Sequence, residues 1–318
     1  MPRLLLTGAN GFVGKILTGR LQSAGYEVIA LAGSAAPAQG IANQYLSCDI
    51  RDADALAKAV ADASPTHVIH LAAISHVPTS FKEPLLTWQT NVIGSMNLLE
   101  ALRKHAPDAF VLFPSSSEVY GAAFKSGIAV SEDTLPEPLN PYAASKVAAE
   151  YAFREYFRQG QDGVIARPFN HIGAQQSADF VTASFARQIA LIESGQQQPV
   201  LKVGNLDAVR DFLDVQDVCD AYIDLLNLAG RKDHPRCLNI ASGQSRKIRD
   251  VLDLMLQQST SRITVELDPD RLRPSDIPVA AGNNTLLRQT TGWQPAIALE
   301  TTLSQLLDYW RAQVTATP

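Results

Sequence analysis

Short apolar runs alternate with longer segments of helical periodicity over the first half of the chain. The apolar runs predict β-strands at residues 4–6, 27–32, 67–72, 110–114 and 163–167. Apolar residues at helical spacing predict helices at residues 11–24, 52–63, 84–105 and 140–159. Strands that alternate with helices are typical of right-handed βαβ units, and short, continuously apolar strands are typical of a parallel sheet covered on both faces.

The pattern loosens after Asn170 and predicts a smaller second domain. Helices are predicted at residues 215–227, 247–258 and 300–312, and a strand at residues 237–240. We expect the first of these helices and the strand to return to the large sheet. The predicted fold class is α/β, a doubly wound parallel Rossmann sheet with a smaller α/β substrate-binding domain. The predicted domains are residues 1–168 plus about 212–241, and about 169–211 plus 242–318.

The amino-acid composition argues against several classes of protein. The net charge of −5 argues against a general nucleic-acid binder, and 46% hydrophobic residues predict a sizeable core rather than disorder. No apolar run approaches the roughly 18 residues of a membrane span, and the first residues lack the features of a signal peptide. The three scattered cysteines, Cys48, Cys219 and Cys237, do not fit a disulfide framework or a zinc site. We therefore expect a cytoplasmic protein with no bound metal, no membrane partner and no nucleic-acid partner.

A glycine-rich segment follows the first predicted strand and opens the first predicted helix. Its glycines, Gly8, Gly11 and Gly14, have the spacing Gly-x-x-Gly-x-x-Gly. Such glycines let backbone approach a pyrophosphate, which the free N–H groups of the helix N-terminus then bind. The alternative is a glycine turn with a structural role alone. The pattern favours a dinucleotide site formed by Gly8, Asn10, Gly11, Phe12, Val13 and Gly14.

The end of the second predicted strand does not decide between NADH and NADPH. It lacks both the acidic residue that binds the ribose of NAD and the arginine that binds the additional phosphate of NADP. Ser34 is a candidate hydrogen-bond donor to either group. Asp49 either accepts from the adenine amino group or belongs to the start of the following helix.

Tyr142 and Lys146 lie four residues apart on a helix that begins with Asn140 as its N-cap. A lysine ammonium beside a phenol favours the phenolate, so we expect Lys146 to lower the pKa of Tyr142. The pair alone is common by chance. Ser115, Ser116 and Ser117 follow a predicted strand, at the sheet edge where α/β proteins bind ligands. A hydroxyl there would hold the oxygen that Tyr142 protonates.

The order of these motifs resembles that of the extended short-chain dehydrogenase/reductases. The resemblance rests on the glycine segment, Leu-Ala-Ala at 71–73, Ser-Ser-Ser-Glu-Val-Tyr-Gly at 115–121 and Asn-Pro-Tyr-Ala-Ala-Ser-Lys at 140–146. It implies that Tyr142 is the acid/base, that Lys146 orients it and the nicotinamide ribose, and that Ser116 is the active-site hydroxyl. It also implies that NADPH or NADH is the cofactor. The further cofactor-binding residues are then Ile50, Leu71, Ala72, Ala73, Pro168 and Ile172, with Tyr142 and Lys146.

Later segments are similar to those of the GDP-4-dehydro-6-deoxy-mannose reductases, among them Val-Arg-Asp-Phe at 209–212 and Arg-Pro-Ser-Asp at 273–276. This resemblance implies that Arg210 and Arg273 hold the diphosphate of a GDP-linked 4-keto-6-deoxy sugar. The other substrate-binding residues would be Ser75, Ser117, Glu118, Asn170, Phe180, Val181 and Lys202. An ion pair with Asp211 or Asp214 is the alternative for Arg210.

Two further residues of these segments have open roles. Arg271 is as readily a solvated loop residue as a ligand. His171 is either a histidine packed behind the site or a proton carrier.

The activity implied is NAD(P)H-dependent reduction of the C4 keto group of GDP-4-dehydro-6-deoxy-D-mannose to GDP-D-rhamnose or its C4 epimer. The alternatives are a GDP-mannose 4,6-dehydratase or a sugar-nucleotide epimerase, since Glu118 keeps an acid available, and a non-catalytic NADP sensor, against which the complete Ser-Tyr-Lys set argues. The helices at 84–105 and 140–159 have wide apolar stripes. They either pack on the sheet alone or, as the resemblance implies, also pair with a second copy in a homodimer.

Overall fold

A computed structural model of the protein describes residues 1–33, 42–271 and 277–316. Its centre is a seven-stranded sheet in the order β10-β6-β5-β4-β1-β2-β3, in which every neighbouring pair is parallel. The strands of this sheet are β1 Arg3–Thr7, β2 Glu27–Ala32, β3 Gln44–Ser47, β4 His67–His70, β5 Phe110–Pro114, β6 Gly163–Pro168 and β10 Cys237–Ile240. The predicted fold class is confirmed.

Helices cover both faces of this sheet, as its continuously buried strands require. They are α1 Phe12–Ser23, α2 Ala53–Ala63, α5 Gly94–His105, α6 Pro141–Arg158 and α8 Val215–Leu226, while α3 Val77–Lys82 and α4 Pro84–Trp88 pack on α6. One hydrophobic cluster joins α1 and α8 to the first face, and a second joins α2, α5 and α6 to the other. Burying apolar area on both faces is the main stabilising term for such a sheet.

Smaller sheets and three helices form a second layer around a separate apolar cluster. The strands are β7 Asn170–Ile172, β8 Val200–Val203, β9 Val209–Asp214, β11 Ser245–Lys247, β12 Thr264–Leu267 and β13 Val279–Ala280. The helices are α7 Val181–Glu193, α9 Ile248–Leu256 and α11 Leu299–Ala316, and α10 Thr285–Thr291 lies nearer the large sheet. The strand β10 pairs with β6 at the edge of the large sheet. The domain boundaries remain a prediction.

The helix expected at residues 84–105 is interrupted. It consists of α4, a π-helical turn at Gln89–Ile93, and α5. Asn91 lies buried in that turn, and its side chain accepts from the Ile74 N–H and donates to the Ile74 carbonyl and to Ser145 Oγ. A π turn often marks a functional position in a helix. Here it lets one amide side chain join the segment after β4 to α6.

The edge strand β3 was not given bounds from the sequence, because it is short and its side chains are half-buried or exposed. Among the described residues, none of the helices combines the length and apolarity that a bilayer crossing needs.

Candidate active site

A cleft of about 1790 Å³ opens at the carboxyl ends of the parallel strands and continues along the second layer. It is lined by every predicted site residue that the structure describes. From the cofactor set these are Gly8, Asn10, Gly11, Phe12, Val13, Gly14, Asp49, Ile50, Leu71, Ala72, Ala73, Pro168 and Ile172. From the catalytic and substrate sets they are Ser75, Ser116, Ser117, Glu118, Tyr142, Lys146, Asn170, Phe180, Val181, Lys202 and Arg210. Ser34 and Arg273 lie outside the described residues.

The glycine segment is a tight loop that no larger residue fits. Gly8 has a φ of +70°, and a Cβ atom there would lie 2.7 Å from the Ala72 nitrogen. A Cβ at Gly14 would lie 2.5 Å from the Gly8 oxygen. The first turn of α1 has no acidic side chain and no side-chain cap, so its N–H groups remain available to an anion. This cradle fits the pyrophosphate of a dinucleotide.

Gly14→Ala is expected to weaken NAD(P)H binding by at least about tenfold, because the new methyl group displaces the loop backbone. Titration of the cofactor, followed by its fluorescence, measures the dissociation constant. Ser23→Ala at the exposed far end of the same helix is the matched control and should bind as the wild type does. Equal affinity in the Gly14 variant would show that the loop does not hold the pyrophosphate.

Tyr142 reaches the cleft because the chain turns into α6 just before it. Asn140 caps this helix by accepting from the Ala143 N–H at 2.8 Å, and Pro141 occupies the first helical position. Burial raises the pKa of Tyr142 to about 12, a hydrogen bond with Ser116 lowers it in part, and the charge of Glu118 raises it. Tyr142 is therefore a neutral phenol at pH 7.

Lys146 lies one turn further along the same helix face and is buried. Its Nζ donates to the Pro114 carbonyl at 2.7 Å and lies 4.4 Å from the centre of the Phe113 ring. Burial lowers the pKa of Lys146 to about 7, against the charge of Glu150, which raises it. The expectation that Lys146 lowers the pKa of Tyr142 is wrong in this structure, because desolvation of the phenol outweighs any charge effect.

Glu118 is tied to the same helix start. Its Oε2 accepts from Asn140 Nδ2 at 3.0 Å, and its own N–H donates to Ser116 Oγ at 3.1 Å. One amide side chain thus caps α6 and holds the carboxylate that follows the serine segment. Ser116, Glu118 and Asn140 are thus linked by hydrogen bonds beside Tyr142.

Arg210 enters the cleft from β9, and it has no ion-pair partner within residues 1–33, 42–271 and 277–316. The Arg210 guanidinium donates to the backbone carbonyls of Val209 and Ile277. Burial lowers the pKa of Arg210. The alternative of an ion pair is wrong. Asp211 is buried and accepts from the Ser242 and Gly243 N–H groups, while Asp214 caps α8 by accepting from the Gln216 N–H. A guanidinium that the described residues hold through two carbonyls is suited to phosphate oxygens.

Asp49 and His171 had two interpretations each. Asp49 lines the cleft, but its carboxylate is paired with Arg51, whose hydrogen bonds hold the pKa of Asp49 low. The helix that follows is capped by Asp52 rather than Asp49. The His171 ring stacks on Phe12 at 6.1 Å, and burial lowers its pKa. It has the surroundings of a packed, neutral histidine.

Three polar residues at or beside the cleft were missed as site residues in the sequence analysis. Asn91 anchors the segment after β4, and its signal was a polar side chain in the middle of an apolar helical stripe. Arg187 on α7 and Asp270 after β12 line the far end of the cleft. No spacing pattern in the sequence predicts these last two, because only the packing of the second layer places them at the cleft.

Comparison with known proteins identifies the family. The family model described as GDP-mannose 4,6 dehydratase matches residues 5–306. The chain belongs to this family. The GDP-6-deoxy-D-mannose reductase of Pseudomonas aeruginosa is 37% identical over 98% of both chains. The GDP-mannose 4,6-dehydratase of Vibrio cholerae is 28% identical over 95% of this chain and 92% of its own.

Solved structures agree with this membership. The structure of RMD from Pseudomonas aeruginosa complexed with NADPH has a TM-score of 0.84 and 35% identity, and the match covers 98% of this chain and 100% of that one. A UDP-glucose-4-epimerase from Stenotrophomonas maltophila with bound NAD has a TM-score of 0.86 and 25% identity over the whole of both chains. The predicted resemblance, the enzyme class and the dependence on a nicotinamide dinucleotide are confirmed.

Proposed function

We propose that this enzyme reduces the C4 keto group of GDP-4-dehydro-6-deoxy-D-mannose to GDP-D-rhamnose or its C4 epimer. The observation that carries the proposal is the buried, neutral Tyr142 beside Ser116, in a cleft that also contains Arg210, which has no ion-pair partner among the described residues. The 37% identity to a GDP-6-deoxy-D-mannose reductase supports the choice of reaction. Ser75, Ser117, Asn170, Phe180, Val181 and Lys202 are proposed to line the sugar nucleotide.

The residues of the chain supply the proton and the positioning. NADPH or NADH, held against the glycine loop, supplies the hydride. Tyr142, neutral at pH 7, donates its proton to the C4 oxygen, and Ser116 holds that oxygen by a hydrogen bond. Lys146 places a positive charge or a donor beside the nicotinamide ribose. Arg210 holds the diphosphate, which fixes the sugar relative to Tyr142.

The direct test follows absorbance at 340 nm with the 4-keto sugar nucleotide and either NADPH or NADH. The proposal expects one dinucleotide to be oxidised for each sugar reduced. The second candidate, a 4,6-dehydratase, is favoured by the position of Glu118 beside Tyr142, where a second acid or base would act. A dehydratase regenerates its dinucleotide, so turnover of GDP-mannose without added cofactor and no loss at 340 nm would overturn the reductase.

We also propose that the enzyme is a homodimer in the cytoplasm. The helical face of α4, the π turn, α5 and α6 exposes Leu85, Trp88, Ile93, Met96 and Tyr151, of which Leu85 is 78% exposed. A contiguous apolar face of this kind usually marks a protein interface. The three cysteines are buried free thiols, as is usual in a reducing compartment.

Replacing Leu85 by Glu should therefore convert a dimer to a monomer at micromolar concentration, because the carboxylate would be desolvated in the interface. Light scattering after size exclusion measures the mass. The matched control is Leu267→Glu, at another exposed leucine on β12, which should leave the mass unchanged. A wild-type monomer would contradict the proposal.

A further inference from the structure

One buried tyrosine in the wall of the cleft has no part in the proposed reaction. Tyr222 on α8 is only 1% exposed, and it lines the cleft. Its ring belongs to the hydrophobic cluster that joins α1 and α8 to the large sheet. Within the described ranges, no group of the protein forms a hydrogen bond with its hydroxyl. A buried polar group without a partner is costly to the fold, so this hydroxyl is a candidate contact for a bound ligand.

Tyr222 lies in the same part of the cleft as Tyr142. Burial raises the pKa of Tyr222 well above the usual range of a phenol, and the nearby Cys219 and Tyr142 raise it further. Helix α8 packs against β5, β6 and β7, and Pro168 and Ile172, at the ends of β6 and β7, line the cleft as well. Tyr222 is therefore a neutral phenol at pH 7, close to these strand ends and to Tyr142.

A dinucleotide bound at the glycine loop has to extend into this region. Its pyrophosphate fits the N-terminus of α1, and α1 packs directly on α8. Phe12 and Val13, in the first turn of α1, pack against the same hydrophobic cluster that contains Tyr222. The nicotinamide ring must approach the sugar carbon whose oxygen Tyr142 protonates. It is thus the part of the dinucleotide that comes to lie between the first turn of α1 and Tyr142.

We infer that the Tyr222 hydroxyl binds the carboxamide group of the nicotinamide ring. The carboxamide has a carbonyl acceptor and an amino donor, and a phenol can donate to the first or accept from the second. Because the surroundings of Tyr222 are apolar, one such hydrogen bond would fix which way the ring is turned. The inference rests on the dependence on a nicotinamide dinucleotide and not on the identity of the sugar nucleotide.

Tyr222→Phe removes the hydroxyl and keeps the ring. Calorimetric titration of the full-length variant should show dissociation constants for NADPH and NADH that are about 3- to 10-fold higher than those of the wild type, the loss of one neutral hydrogen bond. ADP-ribose and its 2′-phosphorylated form lack the nicotinamide ring, so they should bind to the variant as they bind to the wild type.

Thermal unfolding without dinucleotide separates this role from a structural one. The hydroxyl has no protein partner among the described residues, so Tyr222→Phe should unfold at a Tm no lower than that of the wild type. A hydroxyl that served the fold would give the opposite result. The combination of an undiminished Tm and weaker dinucleotide binding is the expected signature of a ligand contact.

The matched control is Tyr26→Phe. Tyr26 belongs to the same hydrophobic cluster and is 8% exposed, but it does not line the cleft. Its ring contacts His67 edge-on. This variant loses a phenol hydroxyl from the same cluster and should bind all four ligands as the wild type does.

The ratio of the affinities decides the outcome. Unchanged binding of NADPH and NADH in Tyr222→Phe would overturn the inference. So would an equal loss of affinity for ADP-ribose, since the effect would then not belong to the nicotinamide ring. Neither result bears on the proposed reaction, which the assay at 340 nm with the 4-keto sugar nucleotide tests separately.

Discussion

Tyr142→Phe is expected to lower kcat by about 10²- to 10⁴-fold, the usual contribution of a positioned proton donor. The variant loses only the hydroxyl, while the ring stays in its buried position on α6. Because the pKa of Tyr142 is raised to about 12, the wild-type group carries its proton at pH 7 and is ready to donate it. Steady-state kinetics at 340 nm gives the rate, and thermal unfolding should give nearly the wild-type Tm.

The matched control is Tyr309→Phe on α11, which removes a hydroxyl that does not line the cleft. Its kcat should equal that of the wild type. Titration of NAD(P)H into Tyr142→Phe should show a dissociation constant within a few-fold of the wild type. Full activity in Tyr142→Phe would show that the phenol is not the proton donor. Ser116 and Glu118 would then be the proton donors to test next.

Glu150→Leu is expected to lower the free energy of unfolding by about 3–5 kcal/mol, the usual cost of leaving one partner of a buried ion pair. Glu150 on α6 accepts from Arg167 on β6 at 2.9 and 2.6 Å, and both side chains are only 2% exposed. Removing the carboxylate leaves a buried guanidinium beside the Tyr120 ring, with a weak contact to the Glu132 carbonyl. Urea denaturation measures the change.

Two variants separate burial from charge. Glu155→Gln breaks an exposed ion pair with Arg158 on the same helix, and should cost less than about 1 kcal/mol. The double variant Glu150→Leu/Arg167→Met replaces both charges by apolar groups and should recover most of the loss, because no buried charge remains. Equal losses of unfolding free energy in Glu150→Leu and Glu155→Gln would mean that the buried ion pair stabilises the fold no more than the exposed one does.

The two predictions concern residues of one helix. Tyr142 and Lys146 line the cleft near the start of α6, and Glu150, one turn beyond Lys146, pairs with Arg167 on β6. We expect Tyr142→Phe to lower the reaction rate without changing the stability of the fold. We expect Glu150→Leu to act mainly on the stability of the fold.

Most of the sheet could be predicted, since a strand buried on both faces must be apolar throughout. The bounds 27–32, 110–114 and 237–240 agree with the structure to the residue. Helix starts were predictable where a side chain caps the backbone, as Asn140 does for α6. The π turn at Gln89–Ile93 could not be predicted, because it depends on one buried Asn91 side chain and not on the periodicity of the apolar residues.

Local sequence determined the glycine loop, the four-residue spacing of Tyr142 and Lys146, and the serine segment, because each lies within one turn or one strand end. The protonation properties of the site residues were decided by the tertiary structure. Burial, which no motif records, raised the pKa of Tyr142 and lowered that of Lys146. The freedom of Arg210 from its neighbours Asp211 and Asp214 was also decided there, since both carboxylates bind backbone N–H groups.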